Sequence, residues 1–170
     1  LLSARARIAE QAGDFDAAIA AHQAAFELAE GRMDAGRRAQ LGVGVGTALY
    51  RKGDLEGARA RLEQSLAVLR SSWGSKAPEV GRIEFDLSMI ATDLGEFELA
   101  QRYLESATAI DEGAWGRDSI EVARDRFALA YLDFGRGEIM QGCEIIAAIV
   151  PTYEAKLGVV HDETASVINA

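Results

Sequence analysis

Histidine, cysteine and paired carboxylates are the side chains on which catalysis or metal binding would rest, and of the first two this sequence has only His22, His161 and Cys143. Cys143 falls on an apolar stripe with Ile139, Ile146, Val150 and Tyr153, which predicts a buried, inert thiol. His22 stands between Phe15 and Phe26 on a face that also predicts burial, as a packed neutral imidazole. His161 lies in a loop, where its ring can cap the helix that comes next. So separated, the three make no zinc site. Carboxylates such as Glu96, Glu98, Asp111 and Glu112 are expected on solvated helix exteriors. The cluster Gly42-Val-Gly-Val-Gly46 lacks the preceding strand and following Lys-Ser/Thr of a phosphate loop, and reads instead as a helix face thinned for close packing. No catalytic residue, metal site or cofactor is expected, and the chain reads as a non-enzyme.

A different chemistry recurs along the chain. With Ile83 at 0° and about 100° per residue, Leu87, Ile90 and Leu94 stay within about 40° of it. Phe85, Met89 and Thr92 fall on the opposite side, at about 200°, 240° and 180°, with Arg82 beside them at about 260°. Forty-two residues later the same positions hold Phe127, Tyr131, Phe134 and Arg124; forty-two earlier they hold Val43, Thr47, Tyr50 and Gln40, with Arg51 alongside. A guanidinium can hold a carboxylate through two parallel hydrogen bonds, and aromatics with arginines dominate interface hot spots. Two readings stay open. The stripe is an exposed groove, or it is core packed between neighbouring helices, as in a helix apolar all round.

The elements that position these residues are set by glycine. Gly53, Gly95 and Gly137 are spaced by 42 residues, and so are Gly74, Gly116 and Gly158. The first series opens the segments GDLEGA, GEFELA and GEIMQG, with an earlier copy, GDFDAA, at Gly13. Between glycines the apolar spacing is helical. It predicts helices over about 1–11, 15–30, 34–52, 55–72, 78–94, 97–113, 119–135, 138–157 and 162–170. Each unit is then two antiparallel helices, joined by a tight turn at the first glycine and followed by a longer loop at the second, both sites where a positive φ is free of a Cβ penalty. Units are expected at about 1–31, 34–72, 78–113 and 119–157, with a partial one at 162–170. Pro78 suits a helix start, whereas Pro151 should kink or end its helix. The chain opens and closes inside helical pattern, so it is expected to be a piece of a longer array.

The small residues seven positions before the turn glycine (Gly46, Ser88, Ala130) and five after it (Ala18, Ala58, Ala100, Gly142) resemble the tetratricopeptide repeat. The 42-residue period, with degraded loops that keep Gly74 and Pro78, or Gly158, His161 and Ala165, resembles the longer variant of kinesin light chains and many bacterial regulators. The resemblance implies an all-α, right-handed superhelical solenoid of antiparallel helix pairs, a concave face lined by first helices, and extended peptides as partners. It departs from that variant where an asparagine is usual on the first helix: Val43, Phe85 and Phe127 stand there, and only Asn169 matches.

The expected function is a protein- or peptide-binding scaffold, taking a protein or extended peptide with an apolar anchor and nearby carboxylates. Alternatives are a sensing domain of a larger bacterial signalling protein, such as a transcription regulator or kinase, and a self-association element forming a homo-oligomer through the chain ends. The net charge of −9 argues against nucleic acid as partner. No apolar run is long enough for a membrane helix, and no signal peptide pattern opens the sequence, so a cytoplasmic location is expected. Arginine supplies 15 of the 18 basic residues and alanine is abundant, a usage that suggests a bacterial source.

Overall fold

The computed structural model describes residues 2–170. Among them are nine helices and no strand: α1 Leu2–Gln11, α2 Phe15–Leu28, α3 Ala35–Lys52, α4 Leu55–Trp73, α5 Pro78–Asp93, α6 Phe97–Trp115, α7 Ile120–Arg136, α8 Ile139–Leu157 and α9 Asp162–Ile168. The chain divides into two compact units, one ending at Ile90 and the other spanning Ala91–Ala170. In the first, α1 packs on α2, α2 on α3 and α3 on α4. In the second, α6 packs on α7, α7 on α8 and α8 on α9.

The turn within each pair is one device used four times. At Gly53 the backbone takes a left-handed conformation (φ 91°, ψ 7°), and the next amide, of Asp54, donates back across the turn to the Leu49 carbonyl at 3.0 Å. The same bond recurs from Asp14 to Ala9, Glu96 to Ala91 and Glu138 to Asp133, so orphan carbonyls at the helix end are satisfied. The start of the second helix then depends on one methylene group. Asp14 and Asp54 accept from the amides of Ala17 and Gly57 at 3.0 Å, whereas Glu96 and Glu138 make no side-chain cap. The second glycine series is distinct: Gly74 has φ 91° and ψ 154°, a region open essentially to glycine alone, which ends α4 without a return bond of that kind.

Small residues sit where helices approach. Ala18, Ala58, Ala100 and Ala130 are all buried. A Cβ on Gly46 would lie 2.7 Å from Leu62, and one on Gly44 would lie 2.5 Å from the His22 ring. The Gly42–Gly46 cluster thus thins α3 against α2 and α4, as its sequence suggested. In the first unit, Leu62, Leu66, Leu69, Val80, Ile83, Leu87 and Ile90 fill the core; in the second, Ala123, Ile149, Tyr153 and Val167 form one buried cluster and Ala91, Ala100 and Leu132 another.

One expectation on α8 is corrected and another narrowed. Cys143 is exposed, not buried. The buried face runs through Gly142, Ile149 and Tyr153, with Ile145 and Ile146 packed against it. Ile139 and Met140 are exposed as well, so α8 is apolar on both faces and spacing alone picks the wrong stripe. Pro151 does not end the helix, which continues to Leu157. His161 does cap α9, its Nδ1 accepting from the Glu163 amide at 3.2 Å.

Candidate first-helix binding faces

In the first unit the face expected from the sequence lies on α3 and α5. Val43 is buried, 3% exposed, and belongs to the core of α3 rather than to its surface. Thr47 is half-buried, and its hydroxyl donates to the Val43 carbonyl at 3.1 Å, so its polar group is spent within the helix. Tyr50, Phe85 and Met89 are half-buried, and Arg51 and Arg82 are exposed. Charge links these first helices. Glu10 of α1 takes the His22 ring nitrogen at 3.0 Å through one oxygen and lies 3.6 Å from the Arg51 guanidinium through the other. Asp86 of α5 sits near both Arg82 and Arg51; burial pushes its carboxyl up to about 6 against the pull of these two cations. His22 is therefore held by a carboxylate on one side and fills the gap left by Gly44 on the other.

In the second unit α7 carries an aromatic run. Phe127 meets Tyr131 edge-on at 5.2 Å between ring centroids, and Tyr131 meets Phe134 at 6.2 Å. The inner ring also touches Tyr153 of α8, at 6.5 Å, while the ring of Phe134 occupies the space over Gly142. Tyr131 itself is 49% exposed. Arg124 does hold a carboxylate in the bidentate manner anticipated, with bonds of 2.8 and 2.7 Å, but that carboxylate is Glu163 of α9. The bond raises the Arg124 pKa and lowers that of Glu163. No sequence spacing announced this partner, which lies on another helix.

A tetratricopeptide repeat profile matches residues 37–113. That segment is built of tetratricopeptide repeats. Solved structures extend the likeness over the chain. BtubC (BKLC) from P. vanneervenii has a TM-score of 0.86 at 19% identity, covering 99% of this chain and 68% of that one. A putative kinesin light chain of Podosopora anserina with nearly identical TPR-like repeats has a TM-score of 0.77 at 17% identity, covering 98% of this chain and 80% of that one; a single-substitution variant of the same protein gives the same score over 79% of its length. At these identities the likeness is one of fold: all-α, built of helix pairs. No curated protein matches the sequence. Among the described residues no helix is long and apolar enough to cross a membrane, and no group of His, Cys, Asp or Glu is disposed to hold a metal ion.

Two features of the chain were not foreseen from the sequence, and both lie between successive helix pairs, away from the first-helix faces. Between α6 and α7 is a cleft of about 330 Å³ lined by Leu104, Thr108, Ala109, Glu112, Asp125 and Leu129 among others. Asp125 is 2% exposed with Oδ2 unpartnered, and burial followed by the charge of Asp111 pushes its carboxyl up to about 7. Asp111 is itself raised to about 6, by burial and then Glu121. The 42-residue register held the signal. Asp111 aligns with Leu69 and Tyr153, and Asp125 with Ile83 and Val167, all four buried and none of them acidic. The other feature is a pair of arginines on one ring, beside α2.

Proposed function

We propose that the chain is a non-catalytic protein- or peptide-binding module that works through the exposed faces of its first helices, α3 and α5 in one unit and α7 in the other. Tetratricopeptide repeats in general serve as protein-interaction scaffolds. The observation that carries the reading is Tyr131. It is a large aromatic left 49% exposed, braced edge-on by Phe127 and Phe134. An aromatic already fixed in place gives contact area with little ordering cost, which is what interface anchors supply. On α5, exposed Arg82 beside half-buried Phe85 and Met89 offers a cation next to an apolar surface. The ligand these faces suit is an extended segment with an aromatic or aliphatic anchor and a nearby carboxylate. Arg124 contributes to such a contact only where the incoming carboxylate displaces Glu163, so Arg82 is the stronger candidate for that role.

The test is capture of a partner from the source organism, then calorimetry of that partner with the parent, Tyr131→Ala and Arg82→Ala. Tyr131→Ala should weaken binding about tenfold or more without altering its salt dependence. Arg82→Ala should weaken it and flatten the salt dependence. Helical circular dichroism should stay at the parent level in both. Parent affinity in both variants would overturn the assignment.

A further inference from the structure

Beyond the first-helix faces, the first unit contains a cleft whose polar lining consists entirely of hydrogen-bond donors or groups able to donate. Two guanidinium groups lie over the ring of Phe26 of α2, that of Arg61 of α4 at 3.9 Å from the ring centroid and that of Arg38 of α3 at 4.3 Å. Around them Gln64, Ser65, Ala35, Ala39 and Val68 complete a space of about 220 Å³ with no carboxylate in its wall. Arg38 is answered from within the chain: its Nε donates to the Phe26 carbonyl at 3.4 Å and its Nη1 lies 3.4 Å from Glu30. Arg61 is not. Its Nε and Nη2 are buried and have no hydrogen-bond partner.

That arrangement is costly as it stands. Arg61 is half-buried, so its charge is partly withdrawn from water, and the charge that acts on it is another cation. Burial first, and Arg38 second, lower the Arg61 pKa accordingly. The backbone has nevertheless made room for the head group. A Cβ on Gly42 would stand 3.0 Å from Nη2, 3.2 Å from Nε and 2.8 Å from the Ser65 hydroxyl. In register, Arg61 corresponds to Tyr103 and Ile145, and Arg38 to Val80, Val122 and Thr164, so the cation pair is particular to this seam.

We infer that the α2–α3–α4 cleft binds a single oxyanion group, a carboxylate or a phosphate, held by Arg61 and Arg38 with Gln64 and Ser65 as neutral donors. The anion supplies the charge that Arg61 lacks, and a guanidinium can meet it with two parallel bonds. The space is smaller than the roughly 300–1,000 Å³ of small-molecule pockets, so it accepts one anionic group borne by a larger molecule. The proposal does not rest on the first-helix reading and uses none of its residues.

The experiment is a titration of the 170-residue protein with inorganic phosphate and, separately, with acetate, at constant ionic strength set by chloride, followed by backbone amide shifts. Saturable shifts confined to residues around Arg38, Arg61, Gln64 and Ser65 are expected for at least one anion, and which anion saturates first distinguishes the source. Arg61→Met and Arg38→Met should each raise the dissociation constant about tenfold or more, while Arg117→Met, in the other unit, leaves it unchanged. Thermal melting gives a second readout. In chloride alone Arg61→Met should melt above the parent, because a half-buried guanidinium with two unpartnered nitrogens is removed, and phosphate or acetate should raise the parent but not the variant. Absence of saturable shifts with both anions, or equal shifts in Arg61→Met, overturns the proposal. So does an Arg61→Met protein that melts below the parent in chloride.

Discussion

Replacing Asp125 by Asn should remove most of the pH dependence of local stability in α6 and α7. The carboxyl is 2% exposed and its pKa is carried from the ordinary 3.8 to about 7, with burial as the largest cause and the charge of Asp111 next. A carboxyl raised in the folded state holds its proton there after the unfolded chain has lost its own. Stability is therefore full below about pH 4, declines as pH rises through the interval to about 7, and stays low above it. A rise of that size corresponds to on the order of 4 kcal/mol between the two ends of the window. Asp111, raised to about 6, adds to the slope in the same direction, and Glu121 and the hydrogen bond from Thr108 act on Asp125 with opposite signs. Asp125→Asn keeps a polar partner for Thr108 but no titration, and Asp125→Leu restores the apolar type found in register at Ile83 and Val167. Because repeats open locally, the assay is native-state hydrogen exchange of α6 and α7 amides between about pH 5 and 8, corrected for intrinsic rates. The parent should lose protection steeply on going to about pH 8, the Asn variant should lose much less, and the Leu variant should be the best protected at high pH. Equal protection of the parent at both ends, or an undiminished slope in the Asn variant, would refute the reasoning.

Ala100→Leu and Ala130→Leu should each cost about 1–3 kcal/mol by overpacking, whereas Ala109→Leu, at an exposed site, should be close to neutral; denaturant titration of the three variants compares them directly. Gly46→Ala should be destabilising despite the gain of about 1 kcal/mol in helix propensity, because its Cβ would lie 2.7 Å from Leu62 and the displacement costs more than propensity returns; the same titration checks its sign. A double-mutant cycle on Arg124 and Glu163 should give a coupling below about 1 kcal/mol that shrinks in salt, since both side chains are over 40% exposed even though the fork geometry is good.

The fold was legible because its boundaries are made of residue types with strong local consequences. Glycines at Gly53 and Gly74, followed by an Asp cap or preceding a helix-starting Pro78, fix where helices stop and start whatever packs against them. The expected and observed helix ends accordingly agree within about two residues. The binding face was legible in part. Spacing places Arg82, Phe85, Met89, Phe127 and Tyr131 on one side of their helices, which is a property of each helix alone. It does not give what lies across from that side. Val43 is buried, and Arg124 finds Glu163 on α9. Cys143 was misplaced because α8 offers apolar residues in every direction, and only its neighbours select which are covered.

The repeat separates two requirements that a globular core would mix. Each seam between successive repeats is filled by the same few positions, and their chemistry changes from one seam to the next on a common backbone. Leu69 and Ile83 are apolar, Asp125 is a buried acid on which the charge of half-buried Asp111 acts, and Tyr153 and Val167 are apolar again with a hydroxyl added. In repeat proteins stability is a sum of such neighbour terms, so a seam can hold titrating or cationic groups and lower stability locally while the other seams hold. The first-helix faces are left out of that sum to the extent that they are exposed. Tyr131 can be lost with little effect on the seam beneath it, because Phe127 and Tyr153 already close the core there. Contact chemistry on the first helices is thus free to differ from repeat to repeat without a matching change in the seams, which is what a surface fitted to a partner requires.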